Sequence, residues 1–193
     1  HDPQRDWPAP AANVKGSKVE DWFDSARPKL NGRALPLTEN ERAMSAALSP
    51  TGANLALGTS FYLRYYRGDG TELWRVPAPG PAWQVNVSGD GRWVLAALGD
   101  GTVRWFRSRD GAELLSLLPH ADGKRWVVWT PKGHYLASPG GEDLFGWHVP
   151  RGASQSADFF AGSRLRATLL RPDVIARVLA SADLDSAVRE ADL

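Results

Sequence analysis

The chain has 193 residues, 42% of them hydrophobic, with 23 Lys and Arg set against 22 Asp and Glu. That length and apolar content support a globular core and exclude a disordered polyelectrolyte, while a net charge of +1 excludes a broad basic field for nucleic acid or a polybasic patch for a membrane. The absence of cysteine excludes disulfides, thiolate metal sites and a thiol nucleophile.

From the N-terminus, residues 1–17 read as a proline-bearing leader that carries Trp7, with none of the charged-then-apolar plan of a signal peptide. No apolar run reaches the length of a bilayer span, so a cytoplasmic location and no membrane partner are expected. Residues 18–24 and 33–37 offer two strands on either side of Asn31-Gly32. The chain then repeats itself. Strands at 44–48, 54–58, 62–67 and 72–76 are followed by strands at 82–87, 93–98, 102–107 and 113–118. In the second set Trp83, Val85 and Val87 alternate with Gln84 and Asn86, the period of a strand with one buried face. A third set at 125–130, 134–138 and 143–149 needs a weaker fourth strand at 157–160.

The turns keep the same beat. Asp69-Gly70-Thr71-Glu72-Leu73 returns as Asp110-Gly111-Ala112-Glu113-Leu114, and Asn31-Gly32-Arg33-Ala34-Leu35 stands 38 positions before the first copy. Ser49-Pro50-Thr51-Gly52, Ser88-Gly89-Asp90-Gly91 and Thr130-Pro131-Lys132-Gly133 follow at steps of 39 and 42. A period near forty, built of four short antiparallel strands, predicts an all-β fold of propeller blades. The expected organisation is a half-blade at 18–37, blades at 43–77, 82–119 and 125–160, and a helical tail at 161–193. Such a ring is incomplete, and the half-blade is expected to pair its free strand with residues of another chain. The repeat positions that should hold the turns are Asp69, Gly70, Asp100, Gly101, Asp110 and Gly111; Tyr66, Phe106 and Trp147 hold the aromatic slot that ends the third strand. Gly140-Gly141 reads as another hairpin.

In the tail, Leu165, Leu169 and Leu170, then Val174, Ile175, Val178 and Leu179, recur at helical spacing, with Pro172 in a first turn and Ser181 to Asp183 as a cap for a last short helix. Arg164, Arg166, Arg171 and Arg177 lie among acidic residues and read as a solvated face.

Ser88 to Leu114, with its Gly-Asp-Gly-Thr-Val-Arg and Asp-Gly-x-Glu-Leu segments, resembles the WD-repeat family of propellers. The pairs Tyr66-Arg67, Phe106-Arg107 and Trp147-His148 depart from that family's Trp-Asp, whereas Phe23-Asp24 keeps the acid. Of the family's polar network, only Asp100 carries over, as a turn acid. The last seventy residues are similar to the final blades of bacterial proteins that also carry a caspase-like peptidase domain, through Gly123-Lys124-Arg125-Trp126-Val127-Val128-Trp129-Thr130-Pro131, Ala137-Ser138-Pro139-Gly140-Gly141, Gly146-Trp147-His148-Val149, Ala157-Asp158-Phe159-Phe160 and Arg171-Pro172-Asp173-Val174.

What this resemblance implies is a non-catalytic docking or regulatory module whose partner is a protein, either a chain that completes the ring or a caspase-like protease. Two alternatives stay open: a fragment of a cleaved protease polypeptide that remains attached, or a separate substrate of such a protease. No residue here is expected to perform catalysis. His120, Asp122, His134 and His148 lack the spacing of a metal set, no Gly-x-Ser-x-Gly elbow is present, and no cofactor is implied. Most of the nine tryptophans read as packing. Trp83 and Trp126, where strands begin, are the candidates for contact with a partner.

Overall fold

Two-residue turns set the first sheet. Lys15-Gly16 and Asn31-Gly32 all have positive φ (47°, 84°, 52° and 77°), the torsions of the hairpin turn whose twist matches antiparallel strands. They join β1 (Asn13–Val14) to β2 (Ser17–Glu20) and β3 (Lys29–Leu30) to β4 (Arg33–Ala34), giving one four-stranded sheet in the order β1-β2-β3-β4. This departs from the two strands expected at 18–37, and the edge of 18–24 expected to pair with another chain is paired by β1 of this one, Asn13 opposite Lys18. The strand expected at 18–24 stops at Glu20 because Asp21 and Asp24 take left-handed backbone (φ 50° and 48°), and strands of two residues show no periodicity to read. The computed structural model describes residues 9–149, 151–152, 156 and 158–193, so Trp7 and most of the leader lie outside the described residues, while residues 13–17 belong to the sheet.

Two units make up the chain, one ending at Glu113 and one starting at Leu114. In the first, β5 (Ala43–Leu48), β6 (Asn54–Thr59), β7 (Tyr62–Arg67) and β8 (Glu72–Pro77) form an antiparallel meander. It is followed by β9 (Ala82–Val87), β10 (Trp93–Leu98) and β11 (Val103–Arg107), paired in sequence order.

The second sheet is covered on both faces, which is why its strands read as continuous apolar runs. Leu55, Leu57 and Tyr66 pack with Val19, Leu30 and Leu35 of the first sheet. Ala56, Leu63 and Tyr65 pack on the other side with Val85, Val87, Val94, Ala96 and Phe106. Tyr65 and Tyr66, adjacent in the chain, therefore serve opposite cores, as strand alternation requires. At Gly58 a Cβ would lie 2.6 Å from the Ala82 carbonyl and 2.4 Å from Ser45 Oγ, so the bare backbone lets β9 come close enough for Ser45 Oγ to donate to Ala82 O at 2.7 Å. Successive antiparallel sheets stacked through shared cores make this an all-β, propeller-like fold.

The second unit contains nearly all of β12 (Glu113–Pro119), then β13 (Trp126–Trp129), β14 (Tyr135–Ala137), β15 (Gly146–Val149) and β16 (Asp158–Ala161). The strands lie near their expected places, yet they do not assemble as one sheet at 125–160. β13 pairs with β12 (Leu117 opposite Val128) and with β14 (Val128 opposite Leu136), while β15 and β16 form a separate hairpin. Gly140 and Gly141 are not a tight hairpin but the start of a 3-10 turn, Gly141–Leu144, which carries the chain away from β14. Leu170 bridges that edge instead, and Arg171 N donates to Tyr135 O at 3.0 Å. Of the weak strand at 157–160, Ala157 lies outside the described residues.

The tail folds as α1 (Arg166–Leu169), α2 (Pro172–Ser181) and α3 (Leu184–Ala191). Pro172 opens α2, and Asp183 caps α3 by accepting from Ser186 N at 2.9 Å. Val174, Ile175 and Val178 are buried, whereas Leu179 is exposed. Arg171 departs from a solvated face: its guanidinium binds Asp173, Asp192 and the Ala191 carbonyl, fastening the start of α2 to the end of α3.

Candidate interaction surface

The repeat acids do one job at several turns. Asp69 accepts from Thr71 N at 2.8 Å, Asp100 from Thr102 N at 2.9 Å and Asp110 from Ala112 N at 3.2 Å, the side-chain mimic of a backbone turn that aspartate favours. Gly70, Gly101 and Gly111 follow with φ of 82°, 85° and 73°. Phe106 and Tyr66 are buried in the two cores of the first unit. Trp147 is half-buried in the second unit.

Trp83 sits elsewhere than its alternation with Val85 and Val87 predicts. Ala97 faces Gln84 but Leu98 faces Ala82, so Trp83 is an extra residue in the ladder, a β-bulge. Ala82 takes the buried slot, and Trp83 is 56% exposed. Met44 occupies the same place in the second sheet, where Ala43 faces Thr59 and Ser45 faces Gly58. Met44 is half-buried.

Two further aromatics, Phe61 and Phe23, lie at that end of the stacked sheets, 47% and 75% exposed. Phe61 is in the turn from β6 to β7, where Thr59 Oγ1 accepts from Tyr62 N at 2.9 Å. Phe23 follows β2, edge-on to Trp22 with ring centroids 5.9 Å apart. Backbone bonds join the loops: Ala43 N donates to Ser25 O at 2.8 Å, Ser60 N to Arg42 O at 2.9 Å and Ala78 N to Phe61 O at 2.8 Å. Arg42 Nε reaches Asp24 Oδ1 at 2.5 Å.

Beneath this rim lies a buried polar knot. Glu41, wholly buried, accepts from Arg64 Nε at 2.8 Å and Nη2 at 2.6 Å, from Thr59 Oγ1 at 2.6 Å, and from Thr38 N and Oγ1 at 2.8 and 2.6 Å. Arg64 Nη1 also meets Glu72. Burial pushes the Glu41 carboxyl up, but the bonds from Arg64, Thr38 and Thr59 outweigh it and hold the group at about 2. The knot therefore fixes the loop before β5 and the Phe61 turn to one frame.

Sequence reasoning singled out Trp83 but not Phe61, and it placed Phe23 at a strand end. The usable signal was Ser60-Phe61 between two strand ends, a large apolar residue in a turn. Trp126 belongs to the second unit, where it is half-buried and exchanges bonds with Ser138, donating its N–H to Ser138 Oγ at 2.9 Å and accepting from Ser138 N at 3.0 Å. Among the described residues no group of His, Asp or Glu is placed to hold a metal ion, and no helix is long and apolar enough to cross a membrane.

No family model matches the chain, and no curated protein matches it. Among solved structures it is similar to BamB from Moraxella catarrhalis, at 12% identity and a TM-score of 0.45, over 68% of this chain and 47% of that one. The chain thus spans about half the length of that structure.

Proposed function

We propose that this chain is a non-catalytic, WD-repeat-like propeller module that docks a protein partner in the bacterial cytoplasm, the partner being a caspase-like peptidase or a chain that completes its ring of blades. The observation that carries the docking is the bulge-borne Trp83 exposed at one end of the sheets with Phe61 and Phe23. Large exposed aromatics gathered on one rim are what interfaces are built from, because each covers much area at little cost in side-chain freedom. Caspase-like chemistry enters through the residues from Gly123 to Val174 that resemble blades linked to such peptidases.

The experiment is a titration of a purified caspase-like peptidase, encoded beside this chain or in its reading frame, against the wild-type chain, Trp83→Ala and Thr51→Ala. Thr51 lies in the turn between β5 and β6, at the opposite end of the sheets. The expected result is binding that weakens at least ~10-fold in Trp83→Ala and holds in Thr51→Ala. Equal binding by all three overturns Trp83 as the docking residue, and none by the wild type overturns the peptidase as the partner.

A further inference from the structure

The helical tail is seated on the second unit at one strand end. Leu170 forms a parallel bridge with Tyr135, Arg171 N donates to Tyr135 O at 3.0 Å, and Lys132 Nζ reaches Asp185 Oδ1 of α3 at 2.5 Å. His134 lies in the chain between those two fastenings, and its own carbonyl accepts from Thr130 N at 2.9 Å. The residue is thus held by a closed turn on one side and by the arriving tail on the other.

His134 Nδ1 is buried and has no hydrogen-bond partner among the described residues. In the neutral ring that nitrogen can stay a bare acceptor while Nε2 carries the proton. The imidazolium has no such choice: both nitrogens carry protons, and a buried charged donor without an acceptor is costly. The surrounding charges act on the same ring. Burial first, then the Arg171 guanidinium at the start of α2 and Lys132 in the turn, hold His134 below the ordinary imidazole value of 6.5, while Asp192 at the end of α3 and Asp173 in α2 pull the other way. Those two carboxylates are bonded to Arg171, and Asp185 is bonded to Lys132, so the nearby acids serve other cations.

We infer that His134 is a proton-operated latch, which keeps the α2–α3 hairpin seated on β14 while the imidazole is neutral and loosens it when the ring takes up a proton. Seating favours the neutral ring, so the unseated tail binds the proton more readily. The seated state is therefore at full strength above pH 6.5 and weakens as pH falls below it. The other histidines of the second unit stand differently, His120 against Asp122 at 3.0 Å and His148 exposed on β15. The latch belongs to this unit alone and does not depend on the docking proposed for the first.

Amide exchange of the full chain at about pH 7.5 and about pH 5, expressed as protection factors so that the intrinsic pH dependence cancels, tests this in the wild type, His134→Gln and His148→Gln. In the wild type and His148→Gln, protection in α2 and α3 is expected to fall at least ~5-fold at the lower pH, while that of β12 and β13 stays within about twofold. In His134→Gln the helices are expected to hold within about twofold as well. A flat response in the wild type, the same fall in His134→Gln, a fall abolished equally by His148→Gln, or an equal fall in β13 overturns the inference. If His134→Gln does not fold, the His134 imidazole resonances of the wild type decide the matter. A titration midpoint below 6.5 that coincides with the loss of helix protection supports the latch, and a midpoint at or above 6.5, or one apart from that loss, overturns it.

Discussion

Glu41 and Arg64 place opposite charges where neither meets water, and removing Glu41 leaves the buried Arg64 with Glu72 alone, bonded through one of its three nitrogens. Glu41→Gln is expected to lower stability by about 3–5 kcal/mol in equilibrium urea unfolding. The same pair sets an acid limit. The carboxyl falls from its ordinary 4.5 to about 2 in the fold, so its ionised form contributes stability in full above pH 4.5, and that contribution is lost as pH drops toward 2. Urea midpoints between pH 5 and 2 should fall more steeply in the wild type than in Glu41→Gln. Gly111 gives a second test. Both Gly111 and Gly91 have positive φ, but a Cβ on Gly111 would lie 2.8 Å from the Trp74 ring while Gly91 faces open space. Gly91→Ala should cost about 1 kcal/mol for backbone strain and Gly111→Ala about 2–4, read from the same unfolding curves. At this scale the turn acids were legible because Asp followed two residues later by a bonded N–H is a local event. The Glu41 knot was not, since it joins residues from 38 to 72 and each alone reads as an ordinary surface residue.

Among the elements, the strands of the second sheet were legible almost to the residue, because hairpin turns bound them and their apolar runs are long. What pairs with what was less legible. The 3-10 turn after Gly140 decides that β15 leaves β14, and nothing in the strand pattern of 143–149 announces it. Trp83 misled through the same limit: alternation assumes an unbroken ladder, and a bulge adds a residue without changing composition. The helix cap was visible in Asp183. Asp183→Ala should cost about 1 kcal/mol, seen as a lower midpoint in thermal unfolding followed by helical circular dichroism.

In the molecule as a whole, protection should follow burial. Within the first unit Leu55, Ala56 and Leu57 are wholly buried and β6 is paired on both sides, while β4 has two residues, both exposed. Within that unit amide exchange is expected to be slowest in β6 and β7 and faster in the edge strand β4. Trp83→Ala should leave stability within about 0.5 kcal/mol, because the side chain supports no core. The exposed aromatic rim and the fold beneath it are thus separable by mutation.

That separation reaches further at the bulge. Excising residue 83 altogether would leave Ala82 opposite Leu98 and Gln84 opposite Ala97, the partners they already have. A lineage can thus gain or drop this protrusion by inserting or deleting a single codon, remaking the exposed rim while the architecture is inherited intact.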